Sequence, residues 1–254
     1  MAVNIFSLKN KVALITGGNK GIGKAIAKGL AGAGADIVIA ARGEDEGLKA
    51  VEEIRSINAN VLWVKTDIKN TREIDSLIDK SIEKFGRIDI LINNAGMGKI
   101  KPALEHDTKD WEEILRVNLI APFYCSRVIA QKMVEKGVKG CIVNVGSIQG
   151  IRGYQKLIAY GCSKAGVMEL TKVLANEWAR YGIRVNAICP GLFDTEFTGY
   201  LKDDPKLLEK IVNLTPLRRI GEPADVVGAV IFLSAESSAF LTGQIIVIDG
   251  GISL

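Results

Sequence analysis

Lys11-Val12-Ala13-Leu14-Ile15-Thr16-Gly17-Gly18-Asn19-Lys20-Gly21-Ile22-Gly23 is the stretch that decides the fold. An almost wholly apolar, β-branched run breaks into glycines, and the alanine-rich amphipathic stretch Ala25 to Ala33 follows. Strand, glycine loop and helix N-terminus in this order form an anion site. Glycine lets the backbone approach a phosphate, and the free N–H groups and the helix dipole face its charge. Gly18 to Lys24 also satisfies G-x-x-x-x-G-K, but Ala25 stands where a P-loop needs a magnesium-binding hydroxyl, which argues against a nucleoside triphosphatase. G-x-G-x-x-G read from Gly21 fails as well, because Ile26 occupies the place of its last glycine. The pattern that fits is Thr-Gly-x-x-x-Gly-x-Gly, Thr16 to Gly23.

Outward from this loop, short β-branched runs alternate with amphipathic stretches. Val12 to Thr16, Ile37 to Ala40, Val61 to Lys65, Ile88 to Ile92, Cys141 to Val145, Ile183 to Ile188 and Ile245 to Ile248 read as strands. Most are continuously apolar, the pattern of parallel strands covered on both faces. Helical patterns lie at Ala25 to Ala33, Leu48 to Ile57, Ile74 to Phe85, Trp111 to Glu135, Ser163 to Tyr181 and Ala224 to Ser234. The alternation predicts an α/β fold, a Rossmann-type doubly wound sheet of about seven strands, mostly or wholly parallel, with helices on both faces. No composition break divides the 254 residues, so residues 1–254 are expected to form a single domain. Ligands of such sheets bind beyond the carboxyl ends of the strands.

Composition narrows the function classes. The formal charge of +4 is modest and interspersed, unlike the basic stripe of a nucleic-acid binder. No apolar run reaches the ~20 residues that span a bilayer, and the segment from Met1 to Ser7 lacks the features of a signal peptide, so a cytoplasmic protein with neither a nucleic-acid nor a membrane partner is expected. The four cysteines, Cys125, Cys141, Cys162 and Cys189, show no metal or disulfide spacing, and the single histidine, His106, rules out a multi-histidine metal site.

Tyr160 and Lys164 stand four residues apart in Ala159-Tyr160-Gly161-Cys162-Ser163-Lys164, on one face of a helix and about 6 Å apart along its axis. Bringing a phenol from its usual pKa of about 10 to roughly 7 or 8 takes on the order of 3 to 4 kcal/mol. A cation about 5 Å away supplies roughly 3 kcal/mol at an effective dielectric of about 20, but under about 1 kcal/mol in bulk water. The pair therefore makes an acid/base only in a sheltered cleft. Cys162 lies inside this turn, where a thiolate is a second possibility.

These motifs fall in an order that resembles the short-chain dehydrogenase/reductase family over nearly the whole chain. Thr16 to Gly23, Asp67-Ile68, Asn93-Asn94-Ala95-Gly96, Asn118, Ser147, Tyr160 with Lys164, and Pro190-Gly191 carry the resemblance. It implies that Tyr160 exchanges a proton with the substrate oxygen while hydride passes between the carbon and a nicotinamide. It also implies that Lys164 lowers the Tyr160 pKa and binds the nicotinamide ribose, that Ser147 hydrogen-bonds the substrate oxygen, and that Asn118 holds a relay water. Pro122, four residues beyond Asn118, has no N–H to offer the Asn118 carbonyl, which leaves either a relay acceptor or a plain proline kink. By the same resemblance Gly17, Asn19, Lys20, Gly21, Ile22 and Gly23 cradle the cofactor phosphates, and Asp67 and Ile68 bracket the adenine. Asn94, Ala95 and Gly96 run along the cofactor, and Pro190 and Gly191 lead to Thr195 at the carboxamide. Residues of about 191–218, chiefly Phe193 to Arg218, form a mobile substrate lid, and Gln149 lines the pocket. Family members are commonly homotetramers.

At the end of the second strand, where an acidic residue would favour NAD, this chain has Arg42. Together with Lys20 it favours the 2′-phosphate of NADP(H), and the acidic run Glu44, Asp45 and Glu46 opposes that preference and keeps NAD(H) as the lesser alternative. Phe6-Ser7-Leu8, Ala175-Asn176-Glu177-Trp178-Ala179 and Thr215-Pro216-Leu217 resemble the sugar-acid branch of the family, which includes gluconate 5-dehydrogenase and 2-deoxygluconate 3-dehydrogenase. The expected substrate is a small carbonyl or secondary alcohol, with Lys99 or Lys101 as candidate partners for a substrate carboxylate. A 3-oxoacyl carrier-protein reductase, a broad ketone reductase and a non-catalytic cofactor-binding protein are the rival readings.

Overall fold

Seven strands carry the fold in the computed structural model, which describes residues 4–57, 60–201 and 203–254. Met1 to Val3, part of the segment read for a leader, and Lys202, within the expected lid, lie outside the described residues. The strands are β1 (Val12–Thr16), β2 (Asp36–Ala41), β3 (Val61–Lys65), β4 (Ile90–Asn93), β5 (Cys141–Val145), β6 (Arg184–Pro190) and β7 (Ile245–Ile248). The helices are α1 (Gly21–Gly32), α2 (Glu44–Arg55), α3 (Thr71–Phe85), α4 (Thr108–Leu115), α5 (Ala121–Glu135), α6 (Ile158–Trp178), α7 (Pro205–Leu214) and α8 (Val227–Ser234).

The sheet runs β3-β2-β1-β4-β5-β6-β7, and every strand pair is parallel. Alternate residues of each strand serve opposite faces. Ala13 and Ile15 pack with Ile26 and Leu30 of α1 and Val230 of α8. Their neighbours Val12 and Leu14 pack with Ile74 and Ile78 of α3, Ile129 of α5 and Leu174 of α6. Each such Leu or Ile contributes about 1.5–3 kcal/mol through burial, so continuous apolar strands are what a sheet with two covered faces requires. Topology reverses between β1 and β4, which opens a crevice beyond their carboxyl ends.

Two regions differ from the sequence-based expectation. The helix predicted over Trp111 to Glu135 is interrupted. A π-helical turn, Arg116–Ile120, separates α4 from α5, and the Ala121 N–H bonds the Arg116 carbonyl five residues back. Pro122 accounts for the interruption, since it cannot donate to the Asn118 carbonyl and its ring crowds the preceding turn. The stretch expected as a lid contains a helix that periodicity did not reveal, α7, with Pro205 in its first turn and Asp204 accepting from the Leu207 N–H. No helix among the described residues is long and apolar enough to cross a membrane.

Candidate active site

The glycine loop leaves β1 with Gly17 and Gly21 at φ +64° and +52°, values at which a side chain is strained. Gly23 is required for a different reason. A Cβ there would lie 2.2 Å from the Gly17 carbonyl and 2.4 Å from Asn94 Nδ2. Asn94 fastens this loop to the end of β4 by donating to the Thr16 carbonyl at 2.9 Å and the Gly17 carbonyl at 3.1 Å. Thr16 Oγ1 in turn accepts from the N–H groups of Asn94 and Ala95, at 3.0 and 3.1 Å.

Helix α1 begins at this loop with no side-chain cap and no acidic residue in its first turn. By contrast α3, α4 and α7 are capped by Asn70, Asp107 and Asp204. Uncapped donors, positive-φ glycines and the helix dipole are the chemistry a dinucleotide diphosphate demands, so the residues present fit such a cofactor. Arg42 is exposed at the end of β2 and makes no ion pair among the described residues. Lys20 is held by the carboxylate of Glu196. Asp67 and Ile68 follow β3 on the same side of the crevice, with the Asp67 N–H bonded to Glu73 at 2.7 Å. Gly191 donates to the Ile248 carbonyl at 2.9 Å, and a Cβ on it would meet Asp249 at 2.7 Å. Thr195 approaches the glycine loop, with its methyl 3.5 Å from where a Gly21 side chain would begin.

Across the crevice lie Asn118, Ser147, Tyr160 and Lys164. Asn118, in the π turn and 1 % exposed, exchanges two hydrogen bonds with the Met97 backbone, at 2.9 and 2.8 Å. Its amide also donates to Ser163 Oγ at 3.0 Å, and Ser163 donates to the Tyr160 carbonyl at 2.7 Å. Asn118 thus ties the loop after β4 to the turn of α6 that bears the tyrosine. Lys164 is 4 % exposed, donates to the Val145 carbonyl at 2.8 Å, and lies 5.6 Å from the centre of the Tyr160 ring. Ser147 follows β5 and lies beside Tyr160, where its hydroxyl favours the phenolate. Ser147 also accepts from the Gln149 N–H at 3.2 Å, and the side-chain oxygen of Gln149 is buried without a hydrogen-bond partner among the described residues.

Burial governs the ionisation of the pair. It pushes Tyr160 up to about 12 against the opposing influence of the Ser147 hydroxyl, and pushes Lys164 down to about 8. Desolvation disfavours both charged forms, and in this state it outweighs the attraction that helical spacing alone suggested. Near pH 7 Tyr160 is a proton donor beside a charged Lys164.

Lys99 bonds Asp110, and Lys101 lies 3.3 Å from Asp107, so α4 holds both lysines. Cys162 is exposed, whereas Lys164 is buried and Tyr160 half-buried. Sequence reasoning missed Ser163, which sits three residues after Tyr160 on its helix face, and Phe197, whose ring packs 5.5 Å from that of Tyr160. It also missed Glu196. Among the described residues no cluster of His, Cys, Asp and Glu is suited to a metal ion. A separate cavity of ≈ 530 Å³ opens at the amino-terminal end of the strands, where Arg184 is spent on the carbonyls of Leu233, Ala235 and Leu241.

A family model described as enoyl-(acyl carrier protein) reductase matches residues 17–253. The chain is 36% identical over 251 residues to a 2-dehydro-3-deoxy-D-gluconate 5-dehydrogenase of Escherichia coli, covering 99% of this chain and 98% of that one. It is 36% identical over 247 residues to a 3-oxoacyl-[acyl-carrier-protein] reductase of Synechocystis, covering 96% and 98%. Among solved structures, a gluconate 5-dehydrogenase from Burkholderia cenocepacia in complex with NADP and tartrate superposes with a TM-score of 0.94 at 35% identity, covering 100% of this chain and 99% of that one.

Proposed function

The chain belongs to the short-chain dehydrogenase/reductase family of oxidoreductases, and from that premise we propose that it interconverts a secondary alcohol and a ketone with NADP(H), on a sugar acid of the gluconate/5-ketogluconate type. The observation that carries this reading is the convergence of Ser147, Tyr160 and Lys164 opposite an uncapped, glycine-rich helix start. Bound NADP(H) supplies or accepts the hydride. Gly17, Asn19, Gly21, Ile22 and Gly23 hold its diphosphate, and Lys20 and Arg42 meet its 2′-phosphate. Asp67 and Ile68 bracket the adenine. Asn94, Ala95 and Gly96 flank the cofactor, and Pro190, Gly191 and Thr195 orient the carboxamide.

In the reductive direction Tyr160 gives its hydroxyl proton to the substrate oxygen, while Ser147 donates its single hydroxyl proton in a hydrogen bond to the same oxygen. Lys164 faces the phenolate that results, and its approximate pKa of 8 makes it a competent proton donor for the recovery step. Asn118 holds Met97 and the Tyr160 turn in register. The segment 191–218 acts as the lid, with Phe197 against the Tyr160 ring. Gln149 offers its unpartnered oxygen to a substrate hydroxyl. Exposed apolar side chains on α5 and α6, among them Phe123, Val134 and Val173, support a homotetramer built across these helices.

A second reading, a 3-oxoacyl-[acyl-carrier-protein] reductase, is favoured by the Synechocystis relative and by the pairing of Lys99 with Asp110 and of Lys101 with Asp107, which opposes their attraction for a sugar-acid carboxylate. Initial rates with gluconate, 5-ketogluconate, acetoacetyl thioester and simple ketones, each with both nicotinamide cofactors, separate the two. Exclusive turnover of the thioester would replace the sugar-acid reading.

A further inference from the structure

We infer that Glu196 is a specificity-determining residue that restrains the preference for the phosphorylated cofactor by holding Lys20; the inference rests on the NADP(H) reading above. Lys20 immediately precedes α1, at the mouth of the anion site, and its ammonium is engaged by Glu196, the first residue of the 3-10 turn Glu196–Leu201. The contact belongs to a two-point docking. Thr195, the neighbour of Glu196, has its methyl 3.5 Å from where a side chain on Gly21, the neighbour of Lys20, would begin, so the carboxylate is delivered beside the glycine loop.

The neighbouring cations define what this pairing does. Lys24 and Lys28, on the following turns of α1, both bond Glu53, at 2.9 and 3.1 Å. Arg42 makes no ion pair among the described residues. Two cations therefore serve a 2′-phosphate, and one of them carries a carboxylate supplied by the segment after β6. A phosphate arriving at Lys20 either displaces Glu196 or shares the ammonium with it, and in both cases it meets an opposing term that NAD(H), lacking that phosphate, does not. Both side chains are well exposed, 53% for Lys20 and 70% for Glu196, so the effect is modest and screened by salt.

The test is direct titration of NADPH and NADH, followed by nicotinamide fluorescence, on the wild type, Glu196→Gln, Lys20→Met and the double variant at low salt. Glu196→Gln is expected to tighten NADPH by about 2- to 5-fold and leave NADH unchanged. Lys20→Met is expected to weaken NADPH and to abolish the effect of the glutamine. Equal tightening of both cofactors, persistence of the gain without Lys20, or no change in a wild type that prefers NADPH overturns the role of Glu196 alone. A wild type that prefers NADH, with Lys20→Met inert, overturns the NADP(H) reading itself and the inference with it.

Discussion

Lys164→Met separates the cost of the active site from its use. Lys164 is buried, with its pKa lowered from 10.5 to about 8, and that depression corresponds to about 3 kcal/mol of folding free energy given up to keep an ammonium out of water. Methionine removes the cost and fills a similar volume, but it forfeits the bond to the Val145 carbonyl, worth about 1 kcal/mol. The net expectation is a ligand-free protein more stable by about 2 kcal/mol at pH 7, or roughly 4–8 °C in melting temperature for a chain of this size, with turnover abolished. The pH dependence carries the sign. Below about 8 the lysine is charged in both folded and unfolded states and the full cost is present. Between about 8 and 10.5 the folded state sheds its proton while the unfolded state keeps it, so the advantage of the variant shrinks and then reverses to about 1 kcal/mol in favour of the wild type, which keeps the Val145 bond. Thermal melts of both proteins from pH 6 to pH 10.5 read this difference directly. A variant less stable than wild type at pH 7, or a gap that does not change with pH, would refute the reasoning.

Tyr160→Phe is expected to retain cofactor binding and lose turnover by at least about 10³-fold, as cofactor titration beside steady-state rates will show; retained turnover removes Tyr160 from the mechanism. Asn118→Ala deletes three hydrogen bonds of a buried side chain and is expected to cost about 2–3 kcal/mol in denaturant melts, along with a fall in kcat. Gly23→Ala places a carbon 2.2 Å from the Gly17 carbonyl and should destabilise the fold by about 3 kcal/mol while raising the KM for either cofactor, which melts and kinetics check together. Arg42→Ala is expected to raise the KM for NADPH by about 5- to 10-fold and leave that for NADH unchanged.

The sequence by itself determined the α/β class, the parallel sheet and the positions of the strand ends, because these follow from local facts. An apolar run such as Leu14-Ile15 must be covered on both faces, and a chain of alternating strands and helices closes in essentially one hand. It also marked the residues of the candidate site, since strand ends in such sheets converge on one crevice. It did not show that the helix bearing Asn118 widens into a π turn, although Pro122 carried the cause, because periodicity does not register one inserted residue. Nor did it show α7, or that Asp110 and Asp107 engage Lys99 and Lys101. Tertiary structure alone decided the electrostatics. Helical spacing placed an ammonium beside a phenol, but only the packing of β5, β6 and α6 around them set how much water each retains. Desolvation depends on that enclosure and raises the tyrosine while it lowers the lysine. The meeting of Lys20 with Glu196 has the same origin, since 176 residues separate them and only the docking of Thr195 against Gly21 makes them neighbours.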